Sequence, residues 1–460
     1  MKLAKMSLVA ALLVAGTSAF AIDNVKVSGD AKLYYATSDD VSNAGTGKAT
    51  DSLFSVANSA GQAELGLGIT ADLLKNVSAG AHLTALSTLG LEGQLVGDVW
   101  EGTNALKESY WFDEAWVAGT LGKTTAKVGR MELDTPLVFS EKWSLATNTF
   151  GAAVLINQDI PDTTLVGAYV GQSSGVDFGQ GMPPVGIANR IGLTGSGYIA
   201  IGRTTNGLPY VGPNGDSSPF HQFYNGAYAA GLVNNSFKPL TAQAWYYRAP
   251  HAADAYWLQA DLNIEGFLAG AQYTDLNAHK ELIGTTADVS NDAYAFMLGY
   301  RMKDVATVKV AYSETGTASL NGAPAEVGAG FNLATAGATA QSKLYTEAWW
   351  SYGYVTKADT AAWSFSAEGS VSDIDLGLYY TQTNSDKNGN LTQAARGYMD
   401  LQEITLTAGK KFGPLDATLA YIYTDAEDQN TVDKNGNAFD AVNGKGKAYN
   451  MIQAYLTLNF

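Results

Sequence analysis

Residues 25–35 read Val25-Lys26-Val27-Ser28-Gly29-Asp30-Ala31-Lys32-Leu33-Tyr34-Tyr35. The odd positions are Val, Val, Gly, Ala, Leu and Tyr, and the even positions are Lys26, Ser28, Asp30, Lys32 and Tyr34. Successive side chains of a strand point to opposite faces, so this alternation predicts a strand lying between two different solvents. The period returns along the chain. Ala63, Leu65, Leu67 and Ile69 alternate with Gln62, Glu64, Gly66 and Thr70, and Ile374, Leu376 and Leu378 alternate with Asp375, Gly377 and Tyr379. The last stretch sets Ile452, Ala454, Leu456, Leu458 and Phe460 against Met451, Gln453, Tyr455, Thr457 and Asn459.

Two all-β architectures give such strands. A sandwich buries the apolar faces and joins its strands by loops of similar length at both ends. A transmembrane barrel turns the apolar face to lipid, with short turns at one end and long loops at the other. A tilted strand needs about ten residues to cross a bilayer. Short links on that basis fall near 72–76, 121–124, 158–162, 233–238, 263–265, 302–304, 371–372 and 412–414. Long ones lie between them at 38–59, 89–108, 132–149, 172–221, 276–291, 314–360, 383–400 and 425–447, and only the link near 250–253 is brief on that side. This asymmetry predicts a transmembrane antiparallel β-barrel of about eighteen strands, with sixteen as the alternative count. Leu344 to Tyr354 reads as part of a loop, because a strand there would put the later long loops at the wrong end. Thr163 to Gly171 is apolar on both faces, as a covered interior wall or a subunit contact would require.

Composition narrows the function. The chain has 28 Lys+Arg against 44 Asp+Glu, an acid excess that argues against nucleic acid as a partner. Zero Cys excludes thiol catalysis, Fe–S clusters and Cys-based zinc sites. Lys2 and Lys5, a short apolar run from Leu8 to Ala15, and Ala19-Phe20-Ala21 have the layout of a cleaved signal peptide over residues 1–21. Its removal takes the formal charge from −16 to −18. Tyrosines such as Tyr35, Tyr246, Tyr300, Tyr312, Tyr380 and Tyr421 fall towards strand ends, where amphipathic rings suit a bilayer boundary. A terminal Phe460 after alternating apolar residues is what outer-membrane barrels present to the barrel-assembly machinery, and Phe460 is read as that insertion signal.

The opening MKLAKMSLVAALLVAGTSAFA resembles that of the major outer-membrane porins of epsilon-proteobacteria. Lys127-Val-Gly-Arg-Met-Glu-Leu-Asp-Thr-Pro136, followed by Asn148-Thr-Phe-Gly-Ala-Ala153, is similar to the third-loop region of porin D-type substrate-selective channels. The resemblance implies an eighteen-strand barrel, a homotrimer and passive uptake of small solutes. It also implies calcium in the pore of some relatives, though no cofactor is otherwise expected. Lipid bilayer and lipopolysaccharide are the surroundings it implies.

A porin filters, so it needs a loop folded inward and charges on the pore wall. The loop at 132–149 is the candidate constriction: it follows Arg130 and carries Glu132, Asp134, Glu141 and Lys142, with Pro136 fixing φ near its start. Strand parity places Lys26, Lys32, Arg248, Arg301, Lys309 and Lys411 on the lumen side, with Asp30, Glu64, Asp261, Glu368, Asp373, Asp375, Glu403 and Asp416 as the acids. Porin D-type channels use an arginine ladder for carboxylate solutes. This chain has few Arg at matching places, and its negative charge favours mild cation preference.

Other features read more plainly. The aromatic run from Leu344 to Tyr354 is a solute slide, a plug, or a loop packed on its neighbours or at a trimer contact; ordinary packing is preferred. Asp386-Lys-Asn-Gly-Asn390 and Asp433-Lys-Asn-Gly-Asn437 offer hard oxygen ligands, yet Asn-Gly is foremost a turn signal. The only histidines are His82, His221, His251 and His279, and no nucleophile motif accompanies them, so catalysis is not expected. An adhesin or other surface-binding barrel is the competing class, separated from a porin by an open, conducting lumen.

Overall fold

The computed structural model describes residues 22–39, 53–91, 94–96, 108–141, 145–173, 200–203, 209–212, 221–280, 286–317, 327–334, 340–385, 399–428 and 448–460. Residues 1–21, where a signal peptide is expected, Lys142, and the Asp386 and Asp433 stretches lie outside them, as does the side chain of His221.

The first seven strands are β1 (Asp23–Ser38), β2 (Ser59–Leu74), β3 (Val77–Ser87), β4 (Glu108–Leu121), β5 (Thr124–Met131), β6 (Phe150–Asn157) and β7 (Thr163–Ser173). A small separate hairpin follows, β8 (Ala200–Arg203) with β9 (Pro209–Gly212). Then come β10 (His221–Asn234), β11 (Leu240–Ala249), β12 (Ala253–Ile264), β13 (Phe267–Ala278), β14 (Val289–Met302) and β15 (Ala306–Thr315). The last five are β16 (Ala361–Val371), β17 (Ile374–Asn384), β18 (Met399–Phe412), β19 (Leu415–Asp428) and β20 (Tyr449–Asn459). Apart from the hairpin they form one 18-stranded antiparallel sheet in which β7 pairs with β10. β1 pairs with β20, so no edge is left open. The count is eighteen, not sixteen.

Closure is completed at the chain's last residue. Gly29 N–H donates to the Phe460 carbonyl at 2.7 Å, and Phe460 N–H returns the bond to Gly29 at 2.8 Å. A Cβ at Gly29 would meet the Phe460 ring, so glycine leaves the ring its place over the seam. Eight short turns lie at one end, and at the other the three-residue link 250–252 joins β11 to β12. Among the two-residue turns, β16 joins β17 through Ser372 and Asp373, with φ of +51° and +62°, and β12 joins β13 through Glu265 and Gly266, with φ of +51° and +92°.

The two faces differ as the alternation demands. Val117, Val128, Leu155, Leu258, Phe296, Leu298, Val310, Leu376, Leu406 and Leu419 point outward and are exposed. Their strand neighbours inside include Trp245, Tyr247, Ala255 and Trp257, which are buried. One irregularity resets this parity. In β4 the pairing shifts between His82↔Glu114 and Leu83↔Phe112, leaving Asp113 as the extra residue. The bulge lets both Asp113 and Glu114 face inward, where strict alternation would send one of them outward.

Candidate functional site

The interior is crossed by two loops that meet. The first, 132–149, links β5 to β6. Leu137, 1 % exposed, packs with Trp245 and Tyr247 of β11 and Trp257 of β12. At its other end Leu145 and Ala146 pack on Tyr34, Leu86 and Trp111 of β1, β3 and β4. Lys32 Nζ donates to the Leu145 carbonyl at 2.9 Å, and Thr149 Oγ1 to the Asp113 carbonyl at 2.7 Å. Two apolar anchors, set on opposite walls, hold this loop across the lumen.

The second loop lies between β15 and β16 and is described over 327–334 and 340–360. Gln272 of β13 clamps it on both sides of one residue, Leu344: its Nε2 donates to the Lys343 carbonyl at 2.8 Å, and its Oε1 accepts Tyr345 N–H at 3.0 Å. The Tyr345 hydroxyl donates to Asp261 at 2.5 Å. Across the lumen, Glu403 of β18 accepts the N–H groups of Trp350 and Ser351 at 3.0 and 2.8 Å. Within the loop, Glu347 accepts backbone N–H from Ser342, Ala348 and Gly353. Tight packing pushes its carboxyl up to about 7, although these donors pull it down. The aromatic run at 344–354 is therefore an interior strap rather than a loop on the outside of the barrel.

The loops join near the middle. Leu333 N–H donates to the Leu137 carbonyl at 2.8 Å. Asn332 Nδ2 reaches the Phe139 carbonyl at 2.8 Å and Glu141 Oε1 at 2.9 Å, and Gln341 N–H donates to the same oxygen at 3.2 Å. Lys343 forms an ion pair with Asp134 and lies over the Phe139 ring. None of this pairing follows from local sequence, since the partners stand about two hundred positions apart.

The walls carry two charged groups. On β1 to β5, Lys32 Nζ lies 3.0 Å from Glu64 and 3.3 Å from Asp30, and His82 bridges Asp113 at 2.8 Å and Asp30 at 3.5 Å. Lys26 shares this face, nearer the short-turn end, and Lys127 lies over Trp116 and 4.0 Å from Glu114. On β12 to β18, Arg301, Lys309, Asp261, Glu368, Lys343 and Tyr345 line a recess of about 540 Å³. Both carboxylates there accept a tyrosine hydroxyl, Asp261 from Tyr345 and Glu368 from Tyr379. Glu403 is buried as the strap's acceptor, while Lys411 lies 3.7 Å from Asp416 at the short-turn end.

Three expected site residues sit elsewhere. Arg130 shares the exposed face of Ala126 and Val128, opposite Lys127 and Met131, and donates to the Phe112 carbonyl at 2.9 Å. It belongs to the outer wall rather than the constriction. Arg248 likewise alternates with the buried Trp245 and Tyr247, so it points outward and is not a lumen charge. Glu141 is inside but 1 % exposed, tied to Asn332, Gln341 and, through its own N–H, Asn148 at 2.6 Å. It braces two loops and presents no charge to the lumen. Of the remaining loop acids, Asp134 is largely exposed beside Lys343, and Glu132 lies near Lys127. Sequence parity missed Asp113 because the bulge has no composition signal, and it missed Asn332, Gln341 and Lys343 because they work only across loops.

Among the described residues no three carboxylate or imidazole side chains gather as a metal site would need.

No protein-family profile and no curated protein sequence matches this chain. Solved structures do share its fold. It is similar to Pseudomonas aeruginosa OccK8 (OprE), with a TM-score of 0.63 and 12 % identity over 96 % of this chain and 99 % of that one. Acinetobacter baumannii OccAB1 gives a TM-score of 0.64 and 12 % identity over 95 % and 97 %. The Pseudomonas aeruginosa outer membrane protein opdK gives 0.60 and 11 % over 95 % and 98 %. What these structures share with this chain is the fold, a closed eighteen-strand antiparallel β-barrel.

Proposed function

We propose that this chain is an outer-membrane porin, a water-filled channel for passive diffusion of ions and small hydrophilic solutes. The observation that carries the reading is the contrast between its walls: an apolar outer surface, and an interior lined by Asp30, Lys32, His82, Lys127, Arg301, Lys309 and Glu368. A soluble barrel has no use for that exterior, and a sealed one has none for charges spread along the interior. The inward loops, which meet at Asp134 and Lys343, make the narrow part of the path. The reading extends to mild cation preference, to export by a cleaved signal over residues 1–21, and to insertion through Phe460. It also takes in a homotrimer set in bilayer and lipopolysaccharide, and it calls for no cofactor, enzymatic chemistry or nucleic acid.

Single-channel recording of the purified full chain in a planar bilayer under a salt gradient tests it. Discrete conductance steps with a cation-leaning reversal potential are expected. A folded barrel that passes no current would overturn the channel and favour a surface-binding barrel. An anion-leaning potential would overturn the charge preference alone.

A further inference from the structure

The two arginines that turn outward instead of inward call for a physical reason. A guanidinium on the lipid-facing wall costs about 2–4 kcal/mol at the bilayer midplane and nearly nothing at the boundary. Arg130 and Arg248 each stand one residue from the long-loop end of their strand, β5 and β11. That end faces the cell exterior if the channel reading above holds, and this inference rests on it.

Arg248 is the better framed. Directly across the ladder from it lies Tyr228 of β10, and beyond that Tyr169 of β7, their rings 5.4 Å apart. On its other side Asp254 of β12 is the cross-strand partner, with the Tyr246 and Tyr256 rings in tilted contact at 5.0 Å. Asp254 is already engaged, accepting from the Tyr246 hydroxyl at 2.8 Å and bonded to His279 Nε2 at 2.9 Å. Arg248 Nε is 4.0 Å from that carboxylate, and its side chain remains 56 % exposed. Tyr169, Tyr228 and Tyr256 are each more than two-fifths exposed. The result is an outward guanidinium framed by amphipathic rings at headgroup level. On the next strands the outward positions at this end are acidic instead, Asp275, Asp292 and Glu314, which limits the basic surface to the β5–β11 side.

From this arrangement we infer that the outer rim around Arg248 binds a phosphate of the outer-leaflet phosphorylated glycolipid. A guanidinium fork matches a phosphate bidentately, and the tyrosine rings pack on the sugar and upper acyl chain while their hydroxyls stay at the aqueous boundary. A diffusing solute in the lumen never meets these residues, so the site anchors the barrel and plays no part in filtering.

Native mass spectrometry of the refolded full chain in detergent, titrated with bisphosphorylated lipid A, tests the inference. Arg248→Gln is expected to weaken retention about tenfold, the factor for losing one charge-assisted contact, with Arg248→Lys in between. Should the variant fail to fold, the wild-type chain with enzymatically dephosphorylated lipid A serves instead, and the same loss is expected. Equal retention of phosphorylated and dephosphorylated lipid, or by wild type and Arg248→Gln, overturns the site. Conductance of the wild-type chain is read on the same preparation: current with no phosphate dependence sinks this inference alone, whereas a barrel without current sinks the channel reading beneath it.

Discussion

Asp134 and Lys343, 209 positions apart, form an ion pair that ties two loops inside one barrel. One partner comes from the link between β5 and β6 and the other from the link between β15 and β16. The pair is exposed to the lumen and its charges are opposite, so either side's removal leaves the other's field uncompensated in the path.

Opposite shifts in selectivity follow. Lys343→Gln should raise cation preference and Asp134→Asn should lower it, each read as the reversal potential under a salt gradient. Thermal stability should change by at most about 1 kcal/mol, since an exposed pair contributes little. Shifts of the same sign in both variants would show that the pair does not face the conducting path.

Asn332 is expected to matter more for stability. Its side chain satisfies Glu141 and the Phe139 carbonyl, both inside the packed loop junction. Asn332→Ala takes the side-chain donor from the Phe139 carbonyl, at about 1–3 kcal/mol, while Glu141 Oε1 keeps the Gln341 N–H. Hydrogen exchange over residues 137–141 and 340–344 should report faster local opening with the barrel strands unaffected. Unchanged protection there would mean the loops are held by their apolar anchors alone.

Glu403 separates charge from shape. Glu403→Gln keeps one acceptor oxygen for the N–H groups of Trp350 and Ser351, and Glu403→Ala keeps none. The alanine variant should free the strap and increase proteolytic cutting within 344–356, and the glutamine variant should lie between it and wild type. Equal cutting in all three would remove Glu403 as the strap's anchor.

The strap should also loosen as pH rises. Glu347 holds its proton up to about 7 in the folded loop, against about 4.3 in an unfolded chain. Between those values the folded form binds more protons than the unfolded one, so stability is highest below the lower value and falls up to about pH 7. Protection of Ser342 and Gly353, corrected for intrinsic exchange, should drop over that window. In Glu347→Gln the drop should vanish.

Alternation in stretches such as 25–35 and 374–382 determined the strands, their inside and outside, and the sidedness of the turns. Each of these depends on solvent contrast across a strand, which is written residue by residue. The same rule placed Lys32, Glu64 and Lys309 on the lumen face, where the structure has them. It failed at Arg248, because polarity alone does not tell a wet lumen from a wet membrane boundary, and Arg130, expected at the constriction from its place before the 132–149 loop, faces outward too. It failed as well at Asp113, where one extra residue resets the parity. Only the tertiary structure decided what fills the barrel. Leu137 against Trp245, Glu141 against Asn332 and Lys343 against Asp134 are pairings between distant loops. Their partners are chosen by closure of the sheet, which brings opposite walls within a loop's reach, and no local period in the sequence records that distance.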